Sequence, residues 1–182
     1  MKIAIILNGI SRNKKKFFSN FYPPLKNKFD VEVFETQSEN HAIELAATAS
    51  EKEIDVILSA GGDGTLNQII NGILFSQNKT KSPTVGIIPL GTGNDFARTC
   101  GIKADVNQLL QFLESNKTES VDIGLVNCVD ENNKAVQRYF INACSLGMGP
   151  EVVKRLKKSD RSLGPSLTYL KAITSTFFAH QP

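Results

Sequence analysis

Histidine and cysteine are scarce in this chain of 182 residues. His41 and His180 stand far apart, which excludes a metal site built on histidine pairs. Cys100, Cys128 and Cys144 form no CxxC pair and show no metal-ligand spacing. Three scattered thiols predict buried packing positions in a reducing compartment, and exclude a disulfide framework. No apolar run approaches the length of a membrane span. The N-terminal "MKIAIILNG" carries one lysine and a short apolar run that turns polar at Asn8, without a small-residue cleavage site. It reads as a strand and not as a secretory leader. Charge of one sign is also in short supply: the formal net charge is +3, which calls for no nucleic-acid partner and does not oppose an anionic ligand. There is no internal repeat and no low-complexity segment.

What remains is an ordinary soluble composition, 41% hydrophobic and 21% charged, long enough for one large domain or two small ones. Short apolar runs alternate with segments of helical period. "KIAIIL" (2–7), "VEVFET" (31–36), "DVILSA" (55–60) and "TVGIIPL" (84–90) predict four strands. Helices are predicted over 41–52, with Ile43, Ala46, Ala47 and Ser50 on one face, over 65–75, with Leu66, Ile69, Ile70 and Ile73 inward, and over 106–115, with Leu109, Leu110 and Leu113 inward. Continuous apolar strands interleaved with helices predict an α/β fold, a mostly parallel sheet covered on both faces, over about residues 1–118. From about 119 to 182 the pattern changes. "VDIGLVNCVD" and "VQRYFINACS", separated by a turn containing Asn132 and Asn133, predict an antiparallel hairpin. Two helices follow at about 150–158 and 165–178. The second is apolar over much of its surface, through Leu167, Leu170, Ile173, Phe177 and Phe178. Such a helix either packs back on its own domain or lacks a partner.

The chemistry concentrates in two glycine loops. "DVILSAGGDGTLNQII" is strand, glycine turn, helix, an arrangement that aims backbone N–H groups and a helix dipole at one anion. Gly61, Gly62 and Gly64 allow close approach of a phosphate. The Thr65 hydroxyl either reaches a phosphate oxygen or caps the helix, with Gln68 completing a capping box. Asp63 is out of place beside a phosphate unless a divalent cation lies between them, or unless it takes a proton from an attacking hydroxyl; helix capping is the competing role. A second loop, "IIPLGTGNDFART", places Gly91 and Gly93 ahead of another helix, with Thr92 and Asn94 as short donors. Two such loops at the carboxyl ends of parallel strands define the crevice in which open α/β sheets bind ligands.

"GGDGTLNQIINGI" with "GIIPLGTGNDFAR" closely resembles the diacylglycerol kinase catalytic-domain family, which includes bacterial lipid kinases and sphingosine and ceramide kinases. "ETQSENHAIELA", "FINACSLGMGPEVV" and "LGPSLTYLKAI" extend the resemblance over nearly the whole chain. The resemblance implies an NAD kinase-like α/β nucleotide-binding domain followed by a β-rich sandwich domain, and transfer of the ATP γ-phosphoryl group to a lipid hydroxyl with Mg²⁺. It implies that Asn8, Thr36, Gly62, Asp63, Gly64, Thr65, Asn67, Gln68, Gly91 and Thr92 surround ATP. It places Asn94 and Asp95 where the acceptor enters, with Asp63 the catalytic candidate; the metal ligands stay unassigned. A lipid acceptor implies a cytoplasmic enzyme of phospholipid biosynthesis, with peripheral membrane contact and self-association left open.

Three departures from the family's pattern stand out. The first loop reads "NGISRN" (8–13), with Gly9 in place of the family's usual proline and Arg12 in place of a glycine. Gln68 stands where glutamate is usual. The chain ends before the β-rich domain, whose Asp-Gly-Glu motif is proposed to supply the catalytic base, so a truncated nucleotide-binding portion is expected. The basic cluster "KRLKKSDR", with Lys154, Arg155, Lys157, Lys158 and Arg161, either faces an anionic leaflet, at about 1 kcal/mol per charge, or is a solvated helix face. "RNKKK" (12–16) reads as solvated, with phosphate steering the competing role for Arg12. The rival functions are an NAD kinase-like enzyme, which shares the first glycine loop, and a non-catalytic nucleotide-binding module.

Overall fold

The computed structural model describes residues 1–77, 81–130, 132–145, 148–158 and 165–179. The chain divides into two compact units, Met1–Asn142 and Ala143–Pro182.

The first unit is built on β1 (Lys2–Leu7). Its side chains from Ile3 to Leu7 are wholly buried, and each large one contributes roughly 1.5–3 kcal/mol. A strand buried on both faces has to be central. It pairs in parallel with β2 (Asp30–Glu35) on one side and with β3 (Val56–Gly61) on the other; β3 in turn pairs with β4 (Thr84–Pro89), giving the order β2-β1-β3-β4.

The alternation of strand side chains sorts the core into two layers. Ile3, Ile5 and Leu7, with Val56, Leu58 and Ala60, meet Phe17, Phe21, Leu25, Leu109 and Leu113. Ala4, Ile6 and Ile57 face the other way, onto Ala42, Ala46, Ala49, Ile69 and Ile73. The first layer is covered by a helical stretch, α1 (Lys14–Lys16), a π-helical turn Phe17–Phe21 and α2 (Tyr22–Lys28), and by α6 (Val106–Ser115). The second is covered by α3 (His41–Ser50) and α4 (Asp63–Phe75). A short helix, α5 (Asp95–Thr99), follows β4. The connection from β1 runs to one side of the sheet and that from β3 to the other, so the turns after these two strands flank the switch point where such sheets bind ligands.

Most predicted elements are present at nearly the predicted bounds, and the structure adds the helical stretch from 14 to 28. Pro23 and Pro24 lie in the first turn of α2. They lack N–H groups, break the helical period and accompany the π-turn. The buried face of α3 is Ala42, Ala46, Ala49 and Ser50, and not the face containing Ile43 and Ala47, which are half-buried. The reason is Gly72. A Cβ on Gly72 of α4 would stand 2.2 Å from the Ile43 carbonyl oxygen and 2.8 Å from Ala46 Cβ, so α3 and α4 touch backbone to backbone and alanines fill the seam. All three cysteines are free and exposed, contrary to the buried roles their scarcity suggested. Cys100 follows α5 and Cys128 lies on an open hairpin, where no layer covers them.

The hairpin consists of β5 (Gly124–Val129) and β6 (Ala135–Phe140), antiparallel as predicted. Asp130 Oδ1 accepts from the N–H groups of Asn132 and Lys134, and Asn133 adopts the left-handed conformation at φ 58°.

In the second unit α7 (Met148–Lys158) packs against α8 (Pro165–Ala179). The buried positions of α8 are Thr168, Ala172 and Thr176, whereas Leu167, Tyr169, Leu170 and Phe177 are exposed. Ile173 is half-buried, and the Phe178 side chain lies outside the described residues. Lys154 is exposed and Arg155 pairs with Glu151 at 3.4 Å; Arg161 and the side chains of Lys157 and Lys158 lie outside the described residues.

Two expectations follow. In an exposed helix Gly→Ala gains up to about 1 kcal/mol, but overpacking costs roughly 1–3 kcal/mol. Gly72→Ala is therefore expected to destabilise the protein by about 1–2 kcal/mol in urea unfolding; a more stable variant would show that α3 yields freely. At the other end of the sheet the Lys81 ammonium, and then the Lys2 N–H, hold the Asp55 carboxyl below the usual aspartate range. A depressed folded-state value stabilises above the ordinary aspartate pKa and is lost as pH falls through the folded value. Asp55→Asn should thus lower stability at neutral pH and flatten its decline in acid, as read by thermal unfolding against pH.

Candidate functional site

Three turns meet at the carboxyl ends of β1, β3 and β4. The Asn8 N–H donates to the Ala60 carbonyl, and the N–H groups of Leu90 and Gly91 both donate to the Gly61 carbonyl. The first turn is closed on itself. Ile10 N–H donates to Asn8 Oδ1, Ser11 N–H to the Asn8 carbonyl, Asn13 N–H to Ser11 Oγ, and Gly9 N–H to the Thr36 hydroxyl at 3.0 Å. Asn13 Nδ2 then reaches the Leu90 carbonyl at 2.9 Å. Gly9 is required here, because a Cβ would stand 2.1 Å from the Thr36 carbonyl oxygen.

The glycines of the two remaining turns have different jobs. A Cβ on Gly91 would lie 2.4 Å from Gly62 Cα, so the two loops touch through bare backbone. A Cβ on Gly61 would lie 2.4 Å from the Thr65 hydroxyl oxygen. Gly64 is different: it is exposed, its φ is not positive, and an added Cβ would meet nothing within 4 Å. The fold does not require that glycine, whereas a ligand lying against the backbone would.

Helix α4 begins at Asp63, earlier than the sequence suggested, with Gly62 as an extended N-cap that makes no side-chain bond. Thr65 is therefore inside the first turn. It is buried, its oxygen accepts from Asn8 Nδ2 at 3.4 Å, and no capping box with Gln68 forms. With no cap, the N–H groups of the first turn of α4 point out of the helix toward the crevice end of the sheet.

Asp63 is placed by both loops. Its Oδ1 accepts from the Phe96 N–H at 3.0 Å, in the first turn of α5. The capping role considered from sequence is real, but it acts on α5 and not on the helix that carries Asp63. Asp63 Oδ2 lies 3.3 Å from where a Cβ on Gly93 would sit, and Asp95 Oδ2 lies 3.6 Å from the same point. Two carboxylates thus flank Gly93. No group of three or more potential ligands occurs among the described residues. One or two carboxylates beside nucleotide phosphates suit Mg²⁺, which keeps much of its shell as water and phosphate oxygen.

Asn94 adopts the left-handed conformation at φ 53°; its Oδ1 accepts from the Gly91 N–H at 3.0 Å and its Nδ2 donates to the Gly91 carbonyl at 2.8 Å. It braces the loop from within. Asp95 is exposed and paired with Arg98, and Thr92 is exposed on the rim. Asn67 and Gln68 are half-buried on α4. Arg12, Lys15 and Lys16 are exposed as expected, whereas Lys14 pairs with Glu35 and Asn13 braces the loops. Ser11, Asn13, Gly93 and the Phe96 N–H lie outside the set of site residues chosen from sequence. A run of short polar residues straight after a strand was the only local sign of the first two.

An open parallel sheet with two glycine loops touching at the carboxyl ends of β3 and β4, beside its switch point, defines an α/β domain with a crevice lined by backbone. Residues 2–126 match the family model of the diacylglycerol kinase catalytic domain, and the chain belongs to that family. A diacylglycerol kinase of Staphylococcus saprophyticus is 35% identical over 176 residues, 93% of this chain and 53% of that protein. One from Staphylococcus carnosus is 30% identical over 178 residues, 94% of this chain and 54% of that protein. The crystal structure of a diacylglycerol kinase from Bacillus anthracis is similar with a TM-score of 0.65 and 26% identity, over 86% of this chain and 51% of that one. The chain spans about half the length of the curated relatives it matches.

The tie between the loops makes a prediction of its own. Asp63→Ala removes the acceptor for the Phe96 N–H and should cost about 1 kcal/mol in thermal unfolding, near the typical value for a lost cap. Asp63→Asn keeps an acceptor and should cost less than half as much; equal stability of all three proteins would show that the tie is dispensable.

Proposed function

We propose that this chain forms the nucleotide-binding part of an ATP-dependent lipid kinase, which transfers the γ-phosphoryl group to a lipid hydroxyl, with diacylglycerol as the first acceptor to test. The observation that carries the reading is the pairing of Gly64, a glycine the fold does not need, with the uncapped first turn of α4 beside a second glycine loop. Family membership supports the kinase class, and the relatives' names supply the acceptor.

In this reading the N–H groups at the start of α4 hold the phosphates, aided by the helix dipole. Thr92, on the rim, offers its hydroxyl. Asn94 keeps the second loop in shape, and Thr36 and Asn8 hold the wall on the β1 side. Asp63 and Asp95, whose carboxylates flank Gly93, would hold Mg²⁺, which would supply charge neutralisation to the transferring group. Asp63 Oδ2, turned away from the Phe96 N–H, is the candidate acceptor for the proton of the lipid hydroxyl. Catalysis in phosphoryl transfer is mostly positioning and charge neutralisation, which a rigid pair of loops provides. A lipid acceptor implies reversible contact with a membrane surface; among the described residues no helix is long and apolar enough to cross one.

The test is calorimetric titration of the protein with ATP and Mg²⁺, with NAD in parallel, followed by assay with ATP of diacylglycerol in mixed micelles and of NAD. ATP binding is expected, with at least a tenfold loss in Gly64→Ala at equal or higher stability. Asp63→Asn is expected to keep ATP affinity and lose Mg²⁺-dependent turnover. Phosphorylation of NAD alone would sink the lipid reading. ATP binding without transfer to any acceptor would mark a binding module, and full activity of Asp63→Asn would remove the role given to that carboxylate.

A further inference from the structure

Asn71 lies in the third turn of α4, the helix that starts at the glycine loop, and only 2% of it is exposed. An amide so deeply buried is costly unless its hydrogen bonds are made. Its Nδ2 donates to the Tyr139 carbonyl at 2.9 Å and to the Asn67 carbonyl at 2.8 Å, and its Oδ1 accepts from the Tyr139 N–H at 2.9 Å. One side chain thus takes both backbone groups of one strand residue, as a neighbouring strand would.

The hairpin ladder explains why Tyr139 is available. Asp130 N–H donates to the Lys134 carbonyl across the turn, and hydrogen-bonded and open pairs alternate from there. Tyr139, opposite Leu125, falls in an open pair, so its N–H and carbonyl point away from β5. The hairpin forms its own two-stranded sheet, and this amide and the Phe75 and Tyr139 rings, 5.0 Å apart, hold it against α4. Two-stranded hairpins are marginal alone. β6 is also the last strand of the first unit, two residues before it ends at Asn142.

We propose that Asn71 is a positioning residue: it latches the exit strand β6 to the helix that carries the glycine loop, so that hairpin and loop move as one body. Its functional half rests on the kinase reading above. The latch serves the path by which the chain leaves the nucleotide domain; it does not contact the nucleotide loop itself.

Hydrogen exchange on the whole chain tests the latch without reference to activity, because the Tyr139 N–H depends on Asn71 Oδ1. In Asn71→Ala the Tyr139 amide is expected to exchange at least tenfold faster, while amides of Ile5 and Leu58 in the central strands stay within twofold. Asn71→Asp keeps the acceptor and loses the donors, so it should retain Tyr139 protection better than alanine does. Undiminished Tyr139 protection in Asn71→Ala, or an equal loss in the central strands, would overturn the latch. In the same variant ATP affinity should stay within twofold, and kcat for diacylglycerol should fall at least tenfold at unchanged KM for ATP. Unchanged kcat would overturn the positioning role. If the unaltered protein binds no ATP, the kinase reading fails, and the exchange result still decides whether the latch exists.

Discussion

The arrangement depends on one contact: the bare backbones of Gly62 and Gly91 pressed together at the carboxyl ends of β3 and β4. No residue with a side chain can occupy position 91 without pushing the strands' turns apart. Around this contact the Gly61 carbonyl takes two N–H groups from the next loop, Asn94 folds that loop back on Gly91, and Asp63 reaches across to the helix beyond it. Each is an ordinary hydrogen bond, with a net worth of about 1 kcal/mol. Together they leave the two loops no independent freedom, which an electrostatic site needs if it is to act without reorganising.

The sheet was largely legible in the residues. β1 is apolar at every position from Ile3 to Leu7, which only a strand covered on both sides tolerates, and the Leu66-Ile69-Ile70-Ile73 stripe announced the helix beside it. The stretch from 14 to 28 was not legible. Its buried side, Phe17, Phe21 and Leu25, does recur at every fourth residue, but the adjacent prolines at 23 and 24 and the π-turn argue locally against a helix. The face of α3 was half right: Ala46 and Ser50 are buried as predicted, but Ile43 and Ala47 are displaced by Ala42 and Ala49, because Gly72 of another helix brings α4 against that side. The cysteines were misjudged because rarity is a statement about chemistry and not about burial.

Which residues meet in the candidate site was partly legible, but not the contacts they make there. Spacing alone brought Gly62, Asp63, Gly91 and Asn94 to the crevice. It could not show that Asp63 binds the first turn of α5, since that bond joins segments whose approach is a property of the fold, or that the Asn94 amide closes on Gly91, which needs Asn94 in the left-handed conformation. It could not distinguish Gly64, open to solvent, from Gly61, held against Thr65. It also gave no hint of Asn71, whose partner lies 68 residues away.

The turn after β1 has a further consequence. Its amides are largely committed to Asn8, Ser11 and Thr36, and Asn13 fastens it to the Leu90 carbonyl. Ordering a loop when a ligand arrives costs conformational entropy, roughly 1–2 kcal/mol for each residue fixed. Here that cost has already been met in folding. A ligand entering beside Asn8 finds a finished wall, so its affinity can reflect the contacts it makes, and its arrival can be fast because nothing has to close first.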